Sequence, residues 1–402
     1  PLEFDGFIQL VSAGQLFDLR FKTPTSSFKN FLGLIPATYR RSIENVKTSG
    51  EFTVTGFAKG LKSDTSIPKF NIAIASNNAS FQYPDLPKSV KNIVIDTKII
   101  NETGLVNDTY VNLDQLSFSI DQDVFSTKAN IKNIATNALI DASLKGTINL
   151  GNLSKAYPIQ LDKPLSGILK ADVTTKFDMA SVEKSQYQNI NNAGNLSLTG
   201  FKYTDENGKS MNINSAKIQF NPSRVNLQEF KATTGKSDLS ITGVLDNFYG
   251  FAFRNQELKG NFTMNSNQIS VADLISTTAP TKTESKEAPK TEAMKIPAFL
   301  NCSLTAKAKT VLYDNLTLKD CAGKLIVKDQ TVTLQNVITS VFGGQIGLNG
   351  MVSTKEKTPK FNMDLGLNKV DIAQTFTQLD MLKKIAPIAG AVSGKLNSTI
   401  KL

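Results

Sequence analysis

Histidine and tryptophan are absent from the 402 residues, and there are only two cysteines. Losing histidine removes the commonest general base and the commonest metal ligand together. Ser–His and Cys–His nucleophile systems and His-containing zinc sites are therefore excluded. Cys302 and Cys321 make neither a disulfide framework nor a zinc ribbon. They read as buried thiols; because they fall in successive expected strands, a cross-strand disulfide in an oxidising compartment stays open. Arginine is scarce and the lysines are spread evenly, so the net charge of +10 lacks the basic clusters that nucleic-acid binding needs. That charge reads as a lysine-studded solvent face that keeps sheet edges apart, or as weak attraction to anionic headgroups. No run approaches the ~20 apolar residues that span a bilayer; "IAPIAGAV" at Ile385–Val392 is among the longest. Beginning at Pro1 and stopping in mid-pattern at "STIKL", the chain is expected to be a segment of something longer, with any membrane anchor outside it.

What is present is period-two alternation, the mark of strands with one wet and one dry face. Phe17, Leu19 and Phe21 alternate with Asp18, Arg20 and Lys22. Leu116, Phe118 and Ile120 alternate with Ser117, Ser119 and Asp121. The same rule marks Phe70, Ile72 and Ile74, then Ile218 and Phe220, then Leu239 and Ile241. It continues through Val332 and Leu334, Ile346 and Leu348, and Phe361, Met363, Leu365 and Leu367. These side chains are the candidates for a dry, ligand-facing surface. Turn residues separate the runs, as in "DENG" at Asp205–Gly208 and "YDN" at Tyr313–Asn315. The pattern predicts a mainly β fold, an antiparallel meander with few helices.

Three helices are expected: Ser27–Ile35, Ser181–Asn192 capped by Gly194, and Ile372–Ala386, where Asp371 and Gln374 form a capping pattern and Pro387 is the stop. Residues 277–298 read as a disordered linker, because their Thr, Lys, Glu, Ala and Pro composition buries too little to repay ordering. The expected blocks are residues 1–160, 161–276 with a short helix, and 299–402 with an amphipathic helix. One unit is written twice: "PKFNI" at Pro68–Ile72 and "PKFNM" at Pro359–Met363, each following a glycine-containing stretch.

Several apparent motifs fail on context. "TTGKSDLS" at Thr233–Ser240 has Phe230 where a phosphate loop needs its first glycine, and no helix follows. "FGGQIGLNG" at Phe342–Gly350 leads into a strand, without the helix N-terminus that would hold pyrophosphate. The acids of "SIDQDVF" at Ser119–Phe125 are too few for a calcium site. No catalytic residue, metal site or cofactor is expected. From periodicity, a closed sandwich and one long curved sheet with an open apolar trough are both admissible.

The run "VFGGQIGLNGMVSTKEKTPKFNMDLGLNKVDIAQTF" at Val341–Phe376, with the "LKKIAPIAGAVSGKLNSTIKL" after it, resembles the C-terminal region of the AsmA family of bacterial envelope proteins. "SFQYPDLPKSVKNIVID" at Ser80–Asp96 and "ASLKGTINLGNLSKAYPI" at Ala142–Ile159 resemble the large AsmA-like proteins of Bacteroidetes-type bacteria. The resemblance implies a long curved antiparallel sheet forming an elongated groove with a few short capping helices. Related proteins are TamB and the bridge-like lipid-transfer proteins. It further implies a non-enzymatic, periplasmic segment tethered to the inner membrane of a Gram-negative bacterium, moving phospholipid or another acyl lipid toward the outer membrane. Envelope proteins are possible partners, and nucleic acid is not one. The competing expectations are an assembly scaffold for outer-membrane proteins and a closed β-sandwich surface or adhesion protein.

Overall fold

The structure, a computed structural model, describes residues 2–24, 26–32, 46–158, 165–184, 186–204, 210–221, 224–274, 296–356, 358–378 and 392–401. Strands make up 70% of it and helix 11%, so the fold is mainly β as the alternation predicts. The chain divides into two compact units, residues 1–199 with 219–223, and residues 200–218 with 224–402.

In the first unit the chain lays strand beside strand in sequence order. β1 (Glu3–Val11), β2 (Gly14–Lys22), β4 (Lys47–Lys62) and β5 (Lys69–Gln82) pair antiparallel, with the two-residue β3 (Ser26–Ser27) on β4. β6 (Val90–Asn101), β7 (Tyr110–Ile120), β8 (Asp123–Lys132), β9 (Leu139–Asn149), β10 (Ile168–Asp178) and β11 (Asn191–Thr204) continue the ladder. Three short helices sit at strand ends: α1 (Phe28–Leu32), α2 (Leu150–Ala156) and α3 (Met179–Glu183).

In the second unit β13 (Arg224–Thr234), β14 (Ser237–Leu245) and β15 (Leu258–Ser270) pair antiparallel. β16 (Leu300–Tyr313) then lies parallel to β15, a departure from the expected meander. Antiparallel order resumes through β17 (Leu316–Lys328), β18 (Thr331–Val341), β19 (Gly344–Ser353), β20 (Lys360–Asp371) and β21 (Lys395–Lys401). α4 (Phe248–Arg254), α5 (Val271–Leu274) and α6 (Ile372–Gln378) are equally short. β12 (Ser210–Asn221) belongs to the second unit up to Ile218 and to the first from Gln219, and residues 200–204 of β11 also belong to the second. Within each unit the substantial strand–strand contacts are those of ladder neighbours. Among the described residues β1 is bonded only to β2 and β21 only to β20.

The expected helix Ser181–Asn192 is realised only in part: α3 ends at Glu183 and a single 3-10 turn covers Tyr187–Asn189. The Asp178 carboxylate accepts the Ser181 N–H at 2.9 Å and starts α3 two residues earlier. By Asn191 the chain is already in β11, and Gly194 is a strand residue with φ +119° opposite Val173, not a helix cap. α6 begins at Ile372 as predicted, with Gln374 N–H donating to Asp371 Oδ1 at 2.9 Å; residues 379–386 of that expectation lie outside the described residues. α1 covers part of Ser27–Ile35, whose last three residues are also outside. Of the linker, residues 277–295 are outside; Ile296 N–H donates to Thr354 Oγ1 at 2.9 Å. β15 and β16, on either side of that segment, are hydrogen-bonded neighbours within one unit.

Candidate functional site

Residues opposite each other in a ladder share a face, so the registers assign every strand residue to one side. In the first unit the series Leu19, Ala58, Phe70 and then Gly56, Ile72, Ile99 lies on one side. Val111 and Leu113 join it from β7, followed by Leu116, Phe118 and Ile120 after a bulge that shifts the register. Ile131, Ile140, Phe177 and Leu144, Val173 carry it onward. This face is mostly apolar, with Thr97, Asn101, Thr127 and Thr175 interspersed.

The opposite face is polar and carries cross-strand ion pairs. Lys59 Nζ is 2.9 Å from Asp18 Oδ2, Lys98 3.3 Å from Asp114, Lys145 3.2 Å from Asp172, and Lys176 3.4 Å from Asp141. All are solvent-exposed, so each contributes little to stability. What they establish is which side is wet. Single apolar residues such as Phe57 and Val124 are scattered among them.

The second unit repeats the arrangement. Ala232, Leu239, Phe230 and Ile241 share a face with Met264, Ala306 and Gly323. Leu304, Leu325, Leu334 and Gly350 follow, then Met363; Ile346 faces Leu367, Leu348 faces Leu365, and Val352 faces Phe361. Both halves of the duplicated sequence place their phenylalanine on this side. In each hairpin a glycine stands across from the residue that ends the repeat, Gly56 from Ile72 and Gly350 from Met363. The two glycines nevertheless stand at different distances from the proline.

Close packing is confined chiefly to one margin of each apolar face. In the first unit Phe28 of α1 and Leu153 and Ala156 of α2 join Ala79, Ile93, Ile95 and Ile120. In the second, Leu239, Met264, Ile269 and Ala308 form one cluster, and Phe342, Ile346, Leu367 and Val370 another. Away from these clusters Val225, Leu245 and Val327 are also buried, but most of the face is only partly covered by the described residues. Phe70, Ile72, Ile74, Leu116, Phe118, Ile241, Val332, Leu334, Leu348, Met363 and Leu365 are half-buried, and Phe361 is 62% exposed.

The structure thus separates the sequence-predicted lining residues into two sets. Ile120, Leu239, Ile346 and Leu367 are sealed into the marginal clusters, and Phe220 is also buried. The others line open surface, with Ile218 half-buried on β12. Sequence reasoning missed Val111 and Leu113, because the bulge at Asp114–Gln115 switches the parity of the apolar positions. It also missed Phe125 and Phe262, whose rings lie beside glycines across the strand. A Cβ at Gly146 would stand 2.9 Å from Phe125 Cδ2, and one at Gly243 2.6 Å from Phe262 Cδ1.

Cys302 and Cys321 both project from the apolar side, facing Val327 and Ala308. Six residues of strand separate the two positions, roughly 20 Å, far beyond the reach of a disulfide. Both thiols are free, and burial pushes both up in pKa. The rejected motifs have structural uses. Gly235 and Lys236 make the β13–β14 turn, where the Asp273 carboxylate accepts the Lys236 N–H at 2.6 Å. Phe342 and Gly343 make the β18–β19 turn. Asp123 Oδ2 accepts the Asn149 N–H at 2.9 Å, and Asp121 pairs with Lys88. Among the described residues no group of acids and thiols could hold a metal ion, and no helix is long and apolar enough to cross a membrane.

No family model, curated protein or solved structure matches the chain.

Proposed function

We propose that the chain binds and passively conducts acyl lipid along its apolar face. The observation that carries this reading is a row of half-buried aliphatic and aromatic side chains on consecutive strands, which the described residues leave partly uncovered. Acyl chains leaving water for such a surface gain about 0.8 kcal/mol per buried methylene. Headgroups stay in water at the margin without clusters. A lining of similar apolar side chains lets a chain slide from strand to strand without a deep minimum. On the AsmA-like resemblance, the lipid is phospholipid and the setting the periplasm, with the intact protein tethered to the inner membrane. The chain works without catalytic residue, metal or cofactor.

The alternative reading, an assembly scaffold that offers sheet edges to unfolded strands, does not account for the partly uncovered face.

The test is lipid extraction and mass spectrometry of the purified chain, with melting temperatures for Phe118→Asp, Ile241→Asp and Leu365→Asp. These positions are half-open, so a carboxylate there remains hydrated; we expect folding to survive and lipid to be lost. Ile120→Asp, at a site 2% exposed, buries an unpaired charge and should unfold its unit. A parent chain free of lipid, with all four variants equally unfolded, would remove the proposal.

A further inference from the structure

α4 is seven residues long and sets Phe248, Tyr249 and Phe251 within one turn. Its glycine is pinned to the chain that follows. Asn247 Nδ2 donates to Gln256 Oε1 and to the Glu257 carbonyl, both at 3.2 Å, and the Gln256 N–H donates to the Gly250 carbonyl at 3.0 Å. A Cβ at Gly250 would collide with the Asn247 and Gln256 amides. Asn255, at φ 50°, ends the helix. Phe251 is 37% exposed and packs against Phe299, 48% exposed, with ring centroids 5.8 Å apart. Phe299 is fixed in turn through its carbonyl, which accepts the Leu258 N–H at 2.7 Å. Phe248 and Tyr249 meet edge to face at 5.3 Å and are half-buried. None of the four belongs to the buried clusters of the second unit. Holding the Phe251–Phe299 pair in water costs free energy that burial against a partner would recover.

We infer that α4 and Phe299 dock the second unit on a bilayer surface, with the exposed rings entering the interfacial layer. The size of the patch decides against a protein partner. A phenylalanine exposes about 200 Å² when fully open, so the two exposed fractions leave roughly 170 Å² to cover. A stable protein interface takes about 800 Å² from each partner. Insertion into a bilayer has no such threshold, because it scales with the apolar area buried and aromatic side chains favour the membrane–water boundary. Charge agrees with a lipid surface. The chain carries +10 overall, and Arg254, exposed at the last position of α4, adds a cation to the same helix. Both favour anionic headgroups. The rings sit at the heads of β15 and β16, and the inference stands apart from lipid binding along the sheet face.

The experiment is flotation of the full chain with vesicles of equal parts phosphatidylcholine and phosphatidylglycerol. The parent should float with the vesicles. The Phe251→Ser, Phe299→Ser double variant should bind roughly tenfold less at an unchanged melting temperature. Tyr313→Ser, at the far end of β16 and 53% exposed, should bind as the parent does. If the double variant unfolds, Phe251→Trp gives the answer, because the chain has no other tryptophan. Its emission should shift to the blue on adding vesicles and be quenched by brominated acyl chains. A double variant that floats as well as the parent, or a tryptophan whose emission stays unchanged, overturns the proposal. A parent that does not float assigns the patch to a protein partner and overturns it too. Flotation of a parent that carries no co-purified lipid would support the docking surface while counting against conduction along the face.

Discussion

Leu258 and Leu300 stand side by side at the heads of two strands that run in the same direction. Such a pair cannot be joined by a hairpin, because the chain must return to its starting end before the second strand begins. The return must cover the length of β15, roughly 40 Å, which needs about 12 extended residues. Roughly 25 residues lie between Leu274 and Leu300, about twice the need. Removing about eight residues from within 277–290 should leave the melting temperature nearly unchanged, since loop-closure entropy varies slowly with length. Removing all of 277–295 should split the β15–β16 pair and lower the melting temperature sharply, as scanning calorimetry would record. Equal stability of both deletions would mean that the parallel pairing is wrong.

Gly146 offers a test of how closely the strands approach. A Cβ there would lie 2.6 Å from the Val124 carbonyl oxygen and 2.9 Å from the Phe125 ring. Gly146→Val should cost about 1–3 kcal/mol through overpacking. Gly347→Ala, where a Cβ meets nothing within 4 Å, should be neutral or slightly stabilising. Urea unfolding curves of the two variants decide the matter.

Two half-buried carboxylates predict an acid signature. Ser181 and Asn137 hydrogen bonds hold Asp178 down to about 2, and Ser215, Lys231 and Lys217 hold Glu229 down to about 2. Both are depressed, so their contribution is present above the ordinary carboxylate range, near pH 4. It is lost as pH falls toward 2. Carbon-detected NMR titration should show both ionised at pH 3. In the Asp178→Asn, Glu229→Gln double variant, stability should fall less steeply between pH 4 and 2 than in the parent.

The thiols should behave as two separate, sluggish groups. Intact-mass measurement after denaturing alkylation without reductant should find both Cys302 and Cys321 modified. In the folded chain burial lowers their thiolate fraction, so maleimide labelling at neutral pH should be slower than for a free cysteine peptide. Adding detergent-solubilised phospholipid should slow it further if acyl chains occupy the face.

The fold class was legible because β7, β14 and β20 each carry an uninterrupted apolar alternation over Leu116–Ile120, Leu239–Ile241 and Phe361–Leu367. Period two is a local property. Bulges are where it fails: at Asn336, with φ 51°, and at Lys369, with φ 53°, an extra residue shifts the register. Val337 therefore shares a face with Leu334, and Val370 with Leu367, against the sequence parity. Which apolar residues are sealed and which stay open was not legible either. Ile120 and Phe118 are neighbours on one strand face, and only the arrival of Phe28 and α2 from distant sequence buries the first so completely. The parallel pairing of β15 and β16 left no local mark except the length of the segment between them.

The order in which the strands pair sets a rule for how such a chain can change in length. Each strand leans only on its two neighbours, so material can be added at a turn without repacking a remote core. A hairpin is the natural increment: two strands widen the apolar surface by about 10 Å and return the chain to the end from which it left. A lone strand would leave everything after it pointing the wrong way. At the β15–β16 step the chain changes that parity, because its long return lets a strand follow another in the same sense. That junction is therefore where an odd number of strands can be gained or lost over evolution while the lining on either side keeps its register.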